Sequence, residues 1–148
     1  MKFNEEEMLK FAEKLGRMLV AQDVIVLTGE LGAGKTTFTK GLAQGVDIHQ
    51  MVKSPTYTIV RELEGRLPLY HMDVYRIGDD PDSFDLDDYL FGEGVSVIEW
   101  GTMLGDNLPD HYLEIIFDKY SSELANDTER EIILKAHGKR YEKLIESL

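Results

Sequence analysis

The residues of this sequence best suited to chemistry lie in the glycine-rich stretch GELGAGKT, which follows the apolar run VIVL. The stretch fits the pattern G-x-x-x-x-G-K-[ST], with Gly29, Gly34, Lys35 and Thr36 at its fixed positions. Glycine permits backbone conformations that a side chain forbids, so consecutive N–H groups of such a loop can converge on an anion. The lysine can reach terminal phosphates, and the threonine hydroxyl can bind magnesium. The pattern therefore predicts a site for a nucleoside triphosphate and a magnesium ion.

Two acidic residues are candidates to complete this site. Asp73 ends the apolar segment LYHMD, and Glu99 ends the apolar segment VSVIE. In phosphoryl-transfer proteins, an acid at the end of a neighbouring strand commonly helps to hold the magnesium ion. The residues themselves leave open which acid contacts the metal and which orients water.

The type of nucleotide and of reaction is less strongly indicated. The guanine-selecting motif N-K-x-D is absent, and the nearest string, NLPD, lacks the lysine, so ATP is favoured over GTP. Small-molecule kinases gather arginines in a lid, whereas the arginines here are widely spread. Three interpretations stay open: an ATPase coupled to partners, a small-molecule or protein kinase, and a nucleotide-binding adaptor that hydrolyses almost nothing.

A strand before the loop and a helix after it must position these residues. DVIVLTG is a β-branched run typical of a strand buried on both faces. KTTFTKGLAQ predicts a helix that stops at Gly45. On this helix, Thr37 is well placed to contact an α-phosphate, whereas Thr39 is expected on the surface.

The remaining segments predict a mixed sheet with helices on its faces. Asn4 and Glu7 form a capping-box pattern before a helix at about 5–21. The strand SPTYTIVRELE is followed by a turn at Gly65 and the strand LPLYHMDVY. Further predicted elements are a short helix over about 83–90, the strand VSVIEW, an antiparallel pair HYLEIIFD and REIILKA, and a final helix KRYEKLIESL.

Composition restricts the protein class and its partners. The 148 residues fit a single domain, here predicted as one P-loop ATPase domain over 1–148. Sixteen basic and 28 acidic residues give a net charge of −12, which opposes non-specific binding to nucleic acid or an anionic membrane. There are no cysteines, hence no disulfide or thiolate metal site. No apolar run approaches the ~18 residues of a membrane span, and we expect a cytoplasmic protein.

Several motifs, taken together, resemble a known family. GELGAGKTTFTKGLAQG, VKSPTYTIV, LYHMDVYR, GVSVIEW and LPD occur in the order and spacing of the bacterial TsaE family. The resemblance implies a three-layer α/β P-loop NTPase-like fold, its sheet mostly parallel with antiparallel C-terminal strands. It also implies an ATPase subunit of the machinery that makes threonylcarbamoyladenosine in tRNA. Such a subunit acts on a complex of two proteins, TsaD and TsaB, and reaches tRNA only through that complex.

The resemblance also assigns roles to residues. Thr36 and Glu99 would ligate magnesium, Lys35 would act on the phosphates, and Asp73 would be the second acid. Ser54, Pro55 and Thr56 resemble a segment that senses the γ-phosphate. The residues implied to hold the phosphates are Gly32, Ala33, Gly34, Lys35, Thr36 and Thr37.

Further positions near the nucleotide follow from the same resemblance. Trp100, Thr102 and Arg130 correspond to such positions, while core and surface roles stay open for Trp100 and Arg130. Some family members have a threonine on the first helix that contacts the nucleotide. Met8 stands there in this sequence, so at most an apolar contact with adenine is expected. His71 lies on the same strand face as Asp73, and a structural role and a functional role are both open.

Overall fold

The computed structural model of the protein describes residues 2–29, 34–49, 52, 60–74, 86–118 and 130–148. Within these ranges the chain alternates between strands and helices. In chain order the elements are β1 (Lys2–Phe3), α1 (Glu5–Met18), β2 (Val24–Thr28), α2 (Lys35–Gly45), β3 (Val60–Leu63), β4 (Leu69–Asp73), α3 (Leu86–Leu90), β5 (Val95–Glu99), a 3₁₀ helix (Gly101–Asn107), β6 (Tyr112–Asp118), β7 (Arg130–His137) and α4 (Lys139–Glu146).

The described strands form one mixed sheet in the order β1-β7-β6-β2-β5-β4-β3. Its centre is parallel, because β2 pairs in parallel with β6 and β5, and β5 with β4. The predicted antiparallel pair of C-terminal strands is confirmed as β6 and β7. Antiparallel pairing also occurs outside the C-terminal part, between β3 and β4 and between β1 and β7. The predicted α/β class and mixed sheet are therefore confirmed, with a parallel centre and antiparallel edges.

Helices cover both faces of the sheet, which explains why its central strands are apolar throughout. Every residue of β5 is buried, as are the first four of β2. On one face, Leu15 of α1, Phe38 of α2 and Leu144 of α4 share a core with Ile25 of β2. A second core on the other face includes Leu86 and Leu90 of α3, Leu104 of the 3₁₀ helix, and Val26 and Ile98 of the sheet. No helix within the described ranges has the length and apolar character needed to cross a bilayer.

The capping box predicted for α1 is present. Glu7 N donates to Asn4 Oδ1 at 2.8 Å, and Asn4 N donates to Glu7 Oε1 at 3.0 Å. The predicted end near residue 21 is wrong, since α1 ends at Met18 and Leu19 has an extended backbone. Leu19 is nevertheless fully buried. The apolar pattern from which the helix was predicted therefore continues past the last helical residue.

Helices α1 and α2 are in direct backbone contact through glycines. A Cβ atom added at Gly16 would lie 2.5 Å from the carbonyl oxygen of Leu42. One added at Gly41 would lie 2.5 Å from Ala12 Cβ, and one at Gly45 would clash with the backbone of Glu13. Real Cβ atoms essentially never approach so closely, so α2, which carries Lys35, has its position fixed by α1.

An ion pair between the buried Asp23 and the partly exposed Arg140 connects α4 to the start of β2. Asp23, 4% exposed, accepts hydrogen bonds from Arg140 Nε at 3.2 Å and Nη2 at 2.8 Å. Val20 N also donates to Asp23 Oδ2 at 2.8 Å, and Val24 N donates to Tyr141 Oη at 2.9 Å. The hydrogen bonds from Arg140 to Asp23 raise the pKa of the guanidinium. At this end of the sheet, the polar side chains of Asp23, Arg140 and Tyr141 thus have hydrogen-bond partners in the protein.

Candidate nucleotide-binding site

The predicted phosphate loop joins the C-terminal end of β2 to the N-terminus of α2. Gly29, just after β2, is buried, and Gly34 directly precedes Lys35, the first residue of α2. Gly34 has a φ of 108°, and a Cβ atom there would lie 3.1 Å from the Sδ and Cε atoms of Met8. The prediction that the loop requires glycine is confirmed at this position. Because a glycine cap has no side chain, it leaves the first N–H groups of α2 to other acceptors.

Lys35 is buried and faces an acid rather than solvent. Its Nζ atom lies 3.5 Å from Glu99 Oε1 and 4.7 Å from the centroid of the Trp100 ring. A cation over an aromatic face gains roughly 0.5–2 kcal/mol, depending on how far it is desolvated. The ammonium group of Lys35, the first residue of α2, is therefore held by one carboxylate and one aromatic ring.

Glu99 is a charged group at the buried end of β5. Its Oε2 atom lies 2.7 Å from Nε2 of His71. Burial alone would raise the pKa of Glu99, but the contact with His71 and the charge of Lys35 outweigh it and lower that pKa below 4.5. Glu99 is consequently a carboxylate at neutral pH.

The two acids predicted from strand ends lie side by side. Asp73 of β4 is the register partner of Glu99 on β5, and Glu99 is also paired with Leu27 of β2. Because adjacent parallel strands in register direct paired side chains to the same face, both acids project beside the strand that enters the loop. Asp73 is half-buried and Glu99 is 5% exposed. Of the two acids, Asp73 is therefore the more accessible to solvent.

His71 shares its strand face with Asp73, as the sequence predicted, but its contact with Glu99 was not predicted. The missing information is the strand order, which places β4 next to β5. His71 is completely buried and lies opposite Val97, so its side chain reaches Glu99 diagonally across the two strands. The alternation of residues in LYHMD was the only sequence signal for this placement.

Trp100 places its ring against the ammonium group of Lys35. It has a left-handed backbone with φ 62° and ψ 30°, and its N–H donates to the carbonyl oxygen of Leu27 at 2.9 Å. Such a conformation is unusual for a bulky residue. Thr102 follows in the 3₁₀ helix, which the sequence did not predict, and is exposed. The predictions that Trp100 and Thr102 contact a nucleotide remain predictions.

Two residues that are distant in sequence meet at Gly34. Beside the Met8 contact already described, Arg130 Cγ lies 3.9 Å from a Cβ atom built at Gly34. Arg130 is the first residue of β7 and is half-buried. The expected placement of Arg130 and Met8 near the loop agrees with this geometry, while any contact with a nucleotide remains a prediction.

The threonines of α2 occupy two environments. Thr36 and Thr37, in the first turn, are half-buried. Thr39, expected on the surface, is completely buried, and its hydroxyl donates to the carbonyl oxygen of Lys35 at 2.9 Å. That expectation was wrong because α2 packs against both the sheet and α1, which leaves a narrow exposed face.

One polar contact near the loop carried no sequence signal. Thr28, the last residue of β2, donates its hydroxyl to Glu114 Oε2 at 3.0 Å. Glu114 lies on β6 and is 9% exposed. The pair links the strand that enters the loop to its neighbour. Other predicted site residues, namely Gly32, Ala33, Ser54, Pro55 and Thr56, lie outside the described residues.

The donor chemistry fits a magnesium ion. Mg²⁺ prefers oxygen ligands and is usually bound by one or two carboxylates together with substrate phosphates. Glu99 supplies a charged carboxylate, and Thr36 supplies a hydroxyl in the first turn of the helix that follows the glycine loop. Asp73 lies within the same group of residues.

A glycine loop between a central parallel strand and a helix, with acids on the neighbouring strand ends, defines the P-loop class of α/β proteins. A family model described as "Threonylcarbamoyl adenosine biosynthesis protein TsaE" matches residues 3–132. The chain belongs to the TsaE family.

Individual relatives cover most of the chain. It is 46% identical over 146 residues to the tRNA threonylcarbamoyladenosine biosynthesis protein TsaE of Bacillus subtilis, covering 98% of this chain and 89% of that protein. The protein of the same name from Treponema pallidum is 43% identical over 74% of this chain and 83% of its own. The crystal structure of Bacillus subtilis YdiB matches with a TM-score of 0.83 and 41% identity, covering 99% of this chain and 92% of that one.

Proposed function

We propose that this protein is the ATP-binding and ATP-hydrolysing subunit of the machinery that makes threonylcarbamoyladenosine in tRNA. The observation that carries the proposal is the cluster at the glycine loop, where Lys35 and the charged Glu99 face each other beside Asp73. Family membership supplies the pathway, because the relatives bear the name of that biosynthesis. The ATPase assignment is supported by the residue types and their arrangement.

Each residue of the cluster would have a distinct task. Lys35 and the backbone of the loop, from Gly29 through Thr37, would bind the phosphates. Thr36 and Glu99 would hold magnesium, which supplies charge neutralisation of the phosphates. Asp73, less buried than Glu99, would orient the attacking water. Trp100, Thr102 and Arg130 would border the nucleotide, and Thr56 would respond to its γ-phosphate.

The catalytic cluster is short of positive charge. Among the described residues, Lys35 is the cation that faces Glu99, and Arg130 lies near Gly34. An arginine supplied by a partner can be worth on the order of 10³–10⁵ in the rate of phosphoryl transfer. We therefore propose that turnover by the isolated protein is slow, well below ~1 s⁻¹, and that TsaD and TsaB change the rate or the nucleotide affinity. Such a protein would work in the cytoplasm and contact tRNA only through the complex.

The test is phosphate release from ATP by the purified protein, alone and with TsaD, TsaB and tRNA. In parallel, binding to TsaD–TsaB is measured with ATP, with ADP and without nucleotide, at two salt concentrations. We expect faster turnover with the partners and an affinity that depends on the nucleotide, because binding linkage is reciprocal. The acidic surface predicts weaker assembly at high salt. Equal partner affinity in all three nucleotide states would contradict coupling, and label transfer to a metabolite would instead indicate a kinase.

A further inference from the structure

His71 is unusual in that it is fully buried but only partly satisfied. It is 0% exposed, and Nε2 is hydrogen-bonded to Glu99 Oε2. Its other ring nitrogen, Nδ1, is buried and has no hydrogen-bond partner within the described residues. A buried polar atom without a partner destabilises the folded state, so the imidazole ring has an energetic cost at Nδ1. Within the described residues, the interaction that the ring makes in return is the hydrogen bond from Nε2 to Glu99.

The two oxygens of Glu99 differ in how firmly they are held. Oε2 meets a ring on the adjacent strand at 2.7 Å, a short contact between two elements of one sheet. Oε1 faces Lys35 Nζ at 3.5 Å, a longer contact to a flexible side chain on a helix. If Lys35 turns toward bound phosphates, Oε1 loses this protein partner while Oε2 keeps its own.

We infer that His71 is a positioning residue, which anchors Oε2 of Glu99 so that Oε1 is presented to magnesium once Lys35 has engaged the phosphates. The inference rests on the proposed function, since it assigns a partner to the metal-binding carboxylate. A residue that orients a metal ligand does so by hydrogen-bonding to an atom of the ligand that does not bind the metal. Substitution of such a residue commonly changes metal affinity 10–100-fold. His71 is not needed to join the strands, because backbone pairing extends along β4 and β5 from Leu69–Val95 to Asp73–Glu99.

The test uses three substitutions of His71 that differ in where a donor remains. His71→Gln keeps an amide N–H near the position of Nε2, His71→Asn keeps one near Nδ1, and His71→Leu keeps none. Affinity for a non-hydrolysable ATP analogue is measured by calorimetry with magnesium and with a chelator, and the ratio of the two gives the magnesium-dependent gain. Thermal unfolding of the ligand-free proteins is recorded alongside.

We expect His71→Leu and His71→Asn to lose about 10–100-fold of the magnesium-dependent gain, with unchanged affinity in the chelator. His71→Gln should recover much of it. A variant that unfolds at lower temperature but keeps the full gain would overturn the inference and leave a structural histidine. If the unsubstituted protein shows no magnesium-dependent gain, the proposed function fails at its metal site and the inference with it.

A measurement on the unsubstituted protein does not depend on whether the variants fold. The imidazole nitrogens of His71 are observed by ¹⁵N NMR in the ligand-free protein. A proton on Nε2 is expected, because that atom must donate to Glu99. An unprotonated Nε2 would overturn the inference.

Discussion

Two buried carboxylates, one at each end of the parallel strands, are held in different ways. Asp23, just before β2, accepts one backbone and two guanidinium hydrogen bonds, none longer than 3.2 Å. Glu99, at the opposite end, has a histidine at 2.7 Å and an ammonium group at 3.5 Å. Both acids are about equally buried, 4% and 5% exposed. The difference therefore lies in their partners.

Arginine and lysine suit these two ends for physical reasons. The planar guanidinium of Arg140 meets both oxygens of Asp23 in a fixed fork, an arrangement that holds two elements together. Lys35 carries a compact charge on a flexible stem and contacts one oxygen, so it can exchange that oxygen for a phosphate. The comparison leads us to propose that the Asp23 end contributes stability, whereas the Glu99 end serves the proposed binding of ATP and magnesium.

Removal of the lysine should have the largest effect on activity. Lys35→Ala deletes a charged hydrogen bond to phosphate, worth roughly 1.5–3 kcal/mol, so nucleotide affinity should fall about tenfold to a hundredfold and turnover should be lost. The fold should persist because Glu99 keeps His71. Affinity is measured by calorimetry and the fold by circular dichroism. Arg140→Ala is the matched control, a cation removed from the other acid, and similar nucleotide affinities for the two variants would contradict the comparison.

Substitution of the acids should separate two smaller effects at the ligand-binding end. Glu99→Gln should raise the magnesium concentration needed for half-maximal turnover, because an amide is a weaker metal ligand than a carboxylate. Asp73→Asn should lower the turnover rate more than it lowers ATP affinity, because orientation of water matters mainly in the transition state. Magnesium titrations of both variants check the assignment, and the opposite pattern would exchange the two roles.

At the other end, loss of the guanidinium should affect stability alone. Arg140→Ala leaves Asp23 buried, with Val20 N still donating to it, but the Arg140 side chain is 42% exposed, so water replaces part of the interaction. The free energy of unfolding should fall by about 1–2 kcal/mol, measured by urea titration. Arg17→Ala, which breaks an exposed helical pair with Glu13, should change it by at most about 0.5 kcal/mol. Equal losses in the two variants would show that burial of Asp23 adds nothing.

The smallest expected effect is on the acid dependence of stability. The pKa of Glu99 is lowered from 4.5 in the folded protein, so its negative charge stabilises the fold above pH 4.5. This contribution is lost as the pH falls below 4.5 and through the pKa that Glu99 has in the folded protein. Glu99→Gln should therefore have a flatter stability profile in this acidic range than the unsubstituted protein. Urea unfolding at a series of pH values checks this, with the exposed Glu6 as control through Glu6→Gln. Parallel profiles for the Glu99 variant and the unsubstituted protein would contradict the lowered pKa.

The sequence predicted those parts of the site that depend on local order. The loop pattern locates Lys35 at the start of a helix, and apolar runs that end in an acid locate Asp73 and Glu99 at strand ends. Since parallel strands bring their carboxyl ends to one edge, these local features suffice to gather the cluster. The end of α2 at Gly45 was also predicted, but for another reason than the observed one. Gly45 does not have the positive φ of a helix cap and instead permits the close approach of α1.

Contacts that depend on strand order or on distant segments could not be predicted. The bond from His71 to Glu99 requires β4 to lie beside β5, which no pattern within either strand specifies. Asp23 and Arg140 are 117 positions apart, and neither belongs to a recognisable motif. The two-residue strand β1 is too short to show any periodicity. The final helix α4 was predicted from its local sequence, but its contact with Asp23 was not.

The glycine contacts between α1 and α2 also restrict which parts of the protein can be exchanged between relatives. A chimera that takes α2 and its loop from another family member, while keeping α1 from this chain, would have to preserve small residues at Gly16, Gly41 and Gly45 together. A larger residue at any of them meets backbone or Cβ atoms of the opposing helix. The helices would separate, and Lys35 would move with α2. For recombination or directed evolution, α1 and α2 are therefore best treated as one cassette, although only α2 begins in the loop motif.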